Sequence, residues 1–545
     1  MKTLASAILC ISLSAFAAVP PGGPDRLREL VIFPDTSLTV TIGMQFQENK
    51  WILQGTTDPS SEMSRLGKKL KSDPDNIQDV LRLGYLLGQK NDTNGSGICY
   101  KRALQLCRDK TAANAEDGLA LDDLGEALSG LGHQDEAESA YRKATRISPD
   151  NWRCWVNFAN FLLSDSMSIF PTDARHALAP GQAPPRELLE YRPTLPALEK
   201  AGQSLADSGR CFDKAMAIAP KEPEIYFQRA GYMMLSNCEN YLFSSFRNNQ
   251  KMDSSKWAML GFSAESTANL EKAAKLSPNN PDYTGLAAFF EWMRAVARAN
   301  SAKITGNMLP EKTRQSIDDA IARLESLSQS PDENIAGGAL EYLGFLNVAF
   351  GNSRAAATQL RRAVALDPTR PPSWDLWLGT AIKDAGSSGD LIAICKSRLA
   401  YENSAQNHLY LAKAYAYRKR WKEAASEATI AANLDPNYIV APLMLAAIDL
   451  KRNADANRLP DANGRLGRAC ELLTHTDSKA EFMKRWREIN LDGAIYFGLQ
   501  GTPDSEKAAQ ASLGHVLKYY PNDQTAKQIL EALPVESASS AVDGN

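Results

Sequence analysis

Metal-binding histidines recur one turn apart on a helix or two residues apart on a strand, so that both rings reach one ion. None of the five histidines of this chain, His133, His176, His408, His475 and His515, has such a neighbour. The spacing therefore predicts no metal centre, and no cofactor is expected. A nucleophile elbow (GxSxG), a phosphate loop (GxxxxGKS/T) and a dinucleotide fingerprint (GxGxxG) are missing from the sequence. Gly95-Ser96-Gly97 lacks a following lysine and reads as a turn. The densest carboxylate group is Asp122, Asp123 and Glu126. Two of these could work as general acid and base, but their spacing on an amphipathic helix reads first as a solvated face. Cys99, Cys107, Cys154, Cys211, Cys238, Cys395 and Cys470 are scattered, with no CxxC pair. They are expected as small core residues, one bridged pair being the alternative in an oxidising compartment.

The elements that would have to position such groups come next. A chain of 545 residues exceeds the roughly 250–300 at which one hydrophobic core stops growing, so it is several domains or one extended array. A net charge of −3 without a basic run argues against nucleic acid as a partner. At the start, Lys2, an apolar stretch over residues 4–16 and the small-x-small Ala15-Phe16-Ala17 have the pattern of a secretory leader, residues 1–17. The apolar stretch is too short to span a bilayer. Export to the periplasm or outside the cell is the expectation, with no membrane-spanning segment in the mature chain.

Three segments share one ruler: LGEALSGLGHQDEAESAYRKATRISP at 124–149, LGFLNVAFGNSRAAATQLRRAVALDP at 343–368 and LAKAYAYRKRWKEAASEATIAANLDP at 411–436. In each, a leucine precedes a glycine or alanine, an alanine follows twelve residues later, another seven beyond that, and a proline closes the unit. The pattern positions are Leu124, Gly125, Leu128, Ala137, Tyr141, Ala144 and Pro149 in the first segment. In the second they are Leu343, Gly344, Asn347, Ala356, Leu360, Ala363 and Pro368, and in the third Leu411, Ala412, Tyr415, Ala424, Ala428, Ala431 and Pro436. This resembles the tetratricopeptide repeat (TPR) family. The resemblance implies paired antiparallel helices stacked into an all-α, right-handed solenoid, with Gly125, Gly344 or Ala412 facing Ala137, Ala356 or Ala424. Tyr141 and Leu360 would fill the space between units. Proline ends the second helix because it lacks an N–H and clashes with the preceding turn. Asp150, Asn151 or Asn437 would cap the helix that follows.

Weaker copies of the ruler extend the array over residues 58–533, about ten units in all. Three insertions are expected within units, near 164–204, 237–261 and 299–312, the first rich in proline. Residues 18–57 form an N-terminal arm. In it Leu38, Val40, Ile42, Met44 and Phe46 alternate with polar residues ahead of Trp51-Ile52-Leu53, which predicts a short β-hairpin. Residues 534–545 are small and polar and read as a disordered tail. No uncovered segment exceeds roughly fifty residues, against 100–150 for a typical catalytic domain, so a separate enzyme body has no room.

In TPR proteins the first helix of each unit lines a concave groove. The resemblance carries that role to Asn157, Asn160, Glu341, Phe345, Trp377, Thr380, Lys383, Lys413 and Tyr417. Asp122 and Glu126 stand where some TPR domains place a lysine/asparagine carboxylate clamp, which argues against binding chaperone tails. The expectation is a non-enzymatic scaffold gripping a protein or peptide in the groove. Two other readings stay open: an accessory subunit of an envelope or polysaccharide assembly system, and an enzyme whose site is built by the insertions.

Overall fold

Alternating short and long apolar spacings along the chain resolve into helix after helix in the computed structural model. It describes residues 24–31, 33, 44–47, 50–53, 59–89, 92–169, 193–248, 250, 260, 262–299, 310–368, 370–383, 391–452, 459–474 and 479–533. In chain order, α1 (Pro24–Glu29) precedes two strands, β1 (Met44–Gln47) and β2 (Lys50–Leu53), and a single helix, α2 (Pro59–Ser72). Helical hairpins follow: α3 (Ile77–Gln89) with α4 (Thr93–Ala113), α5 (Gly118–Gly130) with α6 (Gln134–Ile147), and α7 (Trp152–Met167) with α8 (Leu195–Ile218). Then come α9 (Pro223–Arg247) with α10 (Ala264–Leu276), α11 (Pro281–Ala299) with α12 (Glu311–Leu327), and α13 (Glu333–Ala349) with α14 (Ser353–Leu366). After α15 (Pro371–Lys383) and α16 (Leu391–Tyr401) stand the pairs α17 (Ala405–Tyr417) with α18 (Trp421–Leu434), and α19 (Val440–Arg452) with α20 (Leu459–Leu473). The pair α21 (Lys479–Gln500) with α22 (Pro503–Tyr519) and a closing α23 (Gln524–Ala532) complete the order.

The helices fall into two compact units, one made of residues of Thr39–Thr380, the other of residues of Ala381–Asn545 with those of Ile11–Leu38. In the first, six hairpins among the described residues stack in sequence order, and the first helices α3, α5, α7 and α9 touch in a row, as do α11 and α13. In the second, three hairpins stack likewise, with α17, α19, α21 and α23 in a row. Helix α1 packs on α19, α21 and α23 of that unit, and Lys451 Nζ donates to the Glu29 carbonyl at 2.8 Å. The N-terminal arm thus carries a helix that the alternation pattern did not announce. β1 and β2 pair antiparallel, Met44 opposite Leu53 and Phe46 opposite Trp51. The remaining residues of the expected hairpin lie outside those described, as do the leader and the tail.

The packing shows what the glycines of the ruler leave room for. A Cβ built on Gly125 would come within 2.9 Å of the Tyr141 ring, and one on Gly344 within 2.5 Å of Leu360. Each glycine lies against the large residue of its partner helix, because only a bare backbone leaves room for it. Tyr141 is buried and also meets Phe158 and Phe161 of the next hairpin, with centroids at 6.2 and 5.2 Å. One ring thus joins two repeats. The helices α6, α14 and α18 end two residues before Pro149, Pro368 and Pro436. Asn151 caps α7 by accepting from the Arg153 amide. The turns inside hairpins use positive φ at Gly132 and Gly351, both +81°, and at Lys419, +56°. At each, the next amide bonds back to the carbonyl five residues earlier, as for His133 to Leu128 at 2.9 Å, closing the helix end.

The expected insertions shrink. α7 runs to Met167 and α8 starts at Leu195, so 164–204 overlaps helix at both ends. α9 continues to Arg247, eleven residues into the expected 237–261 insertion, because Cys238, Leu242 and Ser245 keep helical spacing and are buried. α11 and α12 bracket 300–309. Residues 170–192, 251–259 and 300–309 lie outside those described.

Candidate functional site

The first helices of the hairpins carry a polar row along the first unit. Asp122 on α5 accepts from Asn157 Nδ2 on α7 at 2.7 Å, and the Arg153 guanidinium stands 4.0 Å away. Three residues further along α7, Asn160 donates to Gln228 on α9 at 3.1 Å. Gln228 donates to Glu224 at 2.6 Å, and Glu224 accepts from the Tyr283 hydroxyl of α11 at 2.9 Å. Near the far end of α7, the Ser166 hydroxyl donates to Glu239 of α9 at 2.8 Å. In the last part of the unit, Arg370 donates to both carboxylate oxygens of Glu341 on α13, at 2.7 and 3.2 Å, and to Asp282 at 3.3 Å, while Ser373 donates to Glu341 at 2.7 Å. Apart from the Gln228–Glu224 bond within α9, each link crosses from one hairpin's first helix to the next or to the loop behind it. Low dielectric strengthens such bonds and makes any unfilled partner costly.

Two carboxyls in the row are strongly perturbed. Asp122 is 0% exposed and pushed up to about 7, by burial first and then by Asp123, against the opposing hydrogen bond from Asn157 and charge of Arg153. Glu239, also 0% exposed, is pushed up to about 8 by burial, opposed by the Ser166 hydrogen bond. One oxygen of each, Asp122 Oδ1 and Glu239 Oε1, has no hydrogen-bond partner. Asp282 is raised by burial against the pull of Arg370. Burial would lower Arg370, but Glu341 and Asp282 outweigh it and hold the guanidinium charged.

This geometry reassigns most of the residues expected to face a partner. Asn157, Asn160, Glu341 and Thr380 are buried and bonded inside the protein; Thr380 donates to the Trp377 carbonyl at 2.8 Å. Phe345 is buried edge-on against Phe289 at 5.1 Å. Asn157, Asn160 and Phe345 each meet a neighbouring first helix there. Trp377 is half-buried and stacked on Trp374, with centroids at 6.0 Å. Lys383 ends α15, and its side chain lies outside the described set. On α17 the stripe Leu409, Lys413, Tyr417 climbs out of the core: Leu409 is buried, Lys413 half-buried and Tyr417 49% exposed. The open part of the expected groove is therefore Trp377 in the first unit and Lys413 with Tyr417 in the second.

Sequence reasoning missed Arg370, which sits in a Pro-rich turn and looked like a loop residue, and Glu239, which fell in an expected insertion. The helical spacing of Cys238, Leu242 and Ser245 was the signal that could have found the second. The carboxylates expected as a solvated face are partly sealed: Asp122 is buried, while Asp123 accepts from Gln78 at 2.5 Å and from Arg153 at 3.4 Å. Among the described residues no group of three or more histidine, cysteine, aspartate or glutamate side chains could hold a metal ion. The thiols of Cys107, Cys154, Cys211, Cys238 and Cys395 are pushed up to about 12 by burial and act as packing groups. All seven described cysteines are free thiols.

A stack of two-helix units with small residues under large rings defines a helical-repeat protein. The family model described as Tetratricopeptide repeat matches residues 120–151, which take in most of α5 and all of α6, so this hairpin is a tetratricopeptide repeat. No curated protein sequence matches the chain. Among solved structures, the C-terminal part of a TPR repeat-containing protein from Cytophaga hutchinsonii is 18% identical, covering 56% of this chain and 99% of that one, with a TM-score of 0.33. Yeast Tom70 is 13% identical, covering 86% and 95%, with a TM-score of 0.34. A human IFIT1 dimer with m7Gppp-AAAA is 14% identical, covering 92% and 88%, with a TM-score of 0.34. Likeness at these scores decides neither partner nor chemistry.

Proposed function

We propose that this TPR protein is a non-enzymatic scaffold that holds a protein or peptide, in the cell envelope or outside the cell. The observation that supports this is where the chemically capable groups went. The two carboxyls tuned nearest to neutral pH, Asp122 and Glu239, are 0% exposed and tie one hairpin to the next. A general acid or base must come within hydrogen-bond reach of the atom it serves, and no substrate reaches these. On the first helix α17, a half-buried cation, Lys413, stands one turn from an exposed aromatic, Tyr417. Aromatic rings beside a cation suit peptide recognition, since large rigid side chains carry most interface energy. The near-neutral charge favours a protein over a nucleic acid.

The test is affinity capture with the mature protein, its Tyr417→Ala and Lys413→Glu variants, and an RNase-treated arm. The reading expects a discrete protein that survives RNase and is lost from both variants while helical content is unchanged. Capture abolished by RNase, or undiminished in both variants, would overturn it.

A further inference from the structure

Helix α1 belongs to no hairpin. It is part of the second unit, where it packs on three successive first helices, α19, α21 and α23. An element that touches three members of one row lies across the row and does not extend it.

Leu27 anchors α1 there. A Cβ on Gly498 of α21 would come within 2.9 Å of Leu27 and 2.6 Å of Leu533 at the end of α23. Both leucines therefore rest on backbone that carries no side chain, and Leu27 is 1% exposed. Val31, one turn on, is buried too, while Glu29 between them is exposed. That is the spacing of a helical segment with one face against a surface. The far end of α1 is held by charge. Lys451 of α19 donates from Nζ to the Glu29 carbonyl at 2.8 Å, across 422 positions of sequence. The last carbonyls of a helix lack intrahelical partners and favour a cation. Burial works against the charge of Lys451, and Glu29 and the buried Asp492 of α21 support it.

Two features make this seat reversible. The six residues of α1 are too few to hold a helix in water, so it is folded only while docked. Its partners are first helices, whereas the buried Ala469 of α20 and the buried Leu513 and Val516 of α22 lie on second helices. Lifting α1 leaves those seams in place and opens a notch for a leucine beside a cation for a helix end.

We propose that the face of α19, α21 and α23 is a docking surface for a partner's short amphipathic helix, one with a leucine and a second apolar residue four positions on, and that α1 occupies it until the partner displaces it. This goes beyond the scaffold reading and uses neither Lys413 nor Tyr417, so each can fail alone.

The probe is a fluorescent synthetic peptide of residues 22–33, whose anisotropy is followed on the full chain and on its Leu27→Asp variant. The substitution puts a charge into the notch and should empty the seat while circular dichroism stays helical. The peptide should bind the variant chain saturably and the wild-type chain at least about tenfold more weakly, because a tethered competitor acts at an effective concentration on the order of millimolar. The same peptide carrying Leu27→Asp should not bind; it has no fold to lose, so misfolding cannot explain the loss. A photoreactive leucine at peptide position 27 should label the chain near Gly498 or Leu533, and light scattering of the wild type should read a monomer. The proposal is overturned if the peptide fails to bind the variant chain, binds both chains alike, or tolerates its own Leu27→Asp change. A label elsewhere overturns it, as does unfolding of the variant chain, which would make α1 a fixed part of the array. A wild-type dimer that Leu27→Asp dissolves would make a second copy the occupant and overturn it as well.

Discussion

Asp122→Asn should relieve a pH-dependent destabilisation of the second and third hairpins. The Asp122 carboxyl sits at about 7 in the folded chain, against an ordinary 3.8. Because the folded-state value is the higher one, the folded chain holds its proton where the unfolded chain has released it. The burial cost is therefore absent below about pH 4, grows as pH rises, and is complete above about pH 7. At about 1.4 kcal/mol per pH unit, the full cost is roughly 4 kcal/mol, an upper bound because local relaxation relieves part of it. Asparagine keeps an acceptor for Asn157 Nδ2 and carries no charge, so it keeps the hydrogen bond without the cost. Glu239 behaves in the same sense between about 4.5 and about 8. Repeat arrays open in parts, so the assay is hydrogen exchange of segments 118–130 and 152–167 at pH 5 and pH 8. Wild-type protection should fall with pH in these segments, and Asp122→Asn should remove most of the fall. If the variant and the wild type lose protection in parallel, or the variant is less protected at pH 8, the burial argument is wrong.

Lys419 holds a φ of +56° at the turn position where two sister hairpins have glycine. Left-handed backbone costs a side-chain-bearing residue about 1–2 kcal/mol, part of which glycine gives back as unfolded-state freedom. Lys419→Gly should therefore stabilise the second unit by about 0.5–1 kcal/mol in urea melts. Arg370→Ala strands the buried Glu341 and should cost about 3–5 kcal/mol, whereas Arg370→Met with Glu341→Leu should cost less than the single change; equal losses would mean that the charge pair is not what matters. Mass spectrometry of the protein recovered from its host should find a chain starting at Ala18, and an intact Met1 would refute the export reading.

The fold was legible where the ruler is strong, because Gly125, Tyr141 and Pro149 each do a local job that no other residue type does as well. A ring over a bare backbone, a rigid turn and a helix stop leave the same trace in every copy. The insertions were overdrawn for the opposite reason. The second half of α9 obeys helical spacing, but its polar residues, Asn237, Glu239 and Asn240, blurred that signal. The candidate groove was the least legible part. Register correctly put Asn157, Asn160, Glu341 and Thr380 on first helices, yet it could not reveal that all four are buried. Whether a polar side chain bonds to a partner or to its neighbour depends on contacts 29 to 68 residues away, such as Glu341 with Arg370 and Asn160 with Gln228. Spacing within one repeat carries no record of those.

The scaffold reading stands or falls on what lies against Tyr417. A photo-crosslinking phenylalanine analogue at position 417, on a first helix, is compared in cells with the same analogue at Ile430, an exposed position (37%) on the second helix α18. The account predicts one or a few discrete protein adducts at 417 that are not formed at 430. No adduct at 417, or the same smear from both positions, would contradict it.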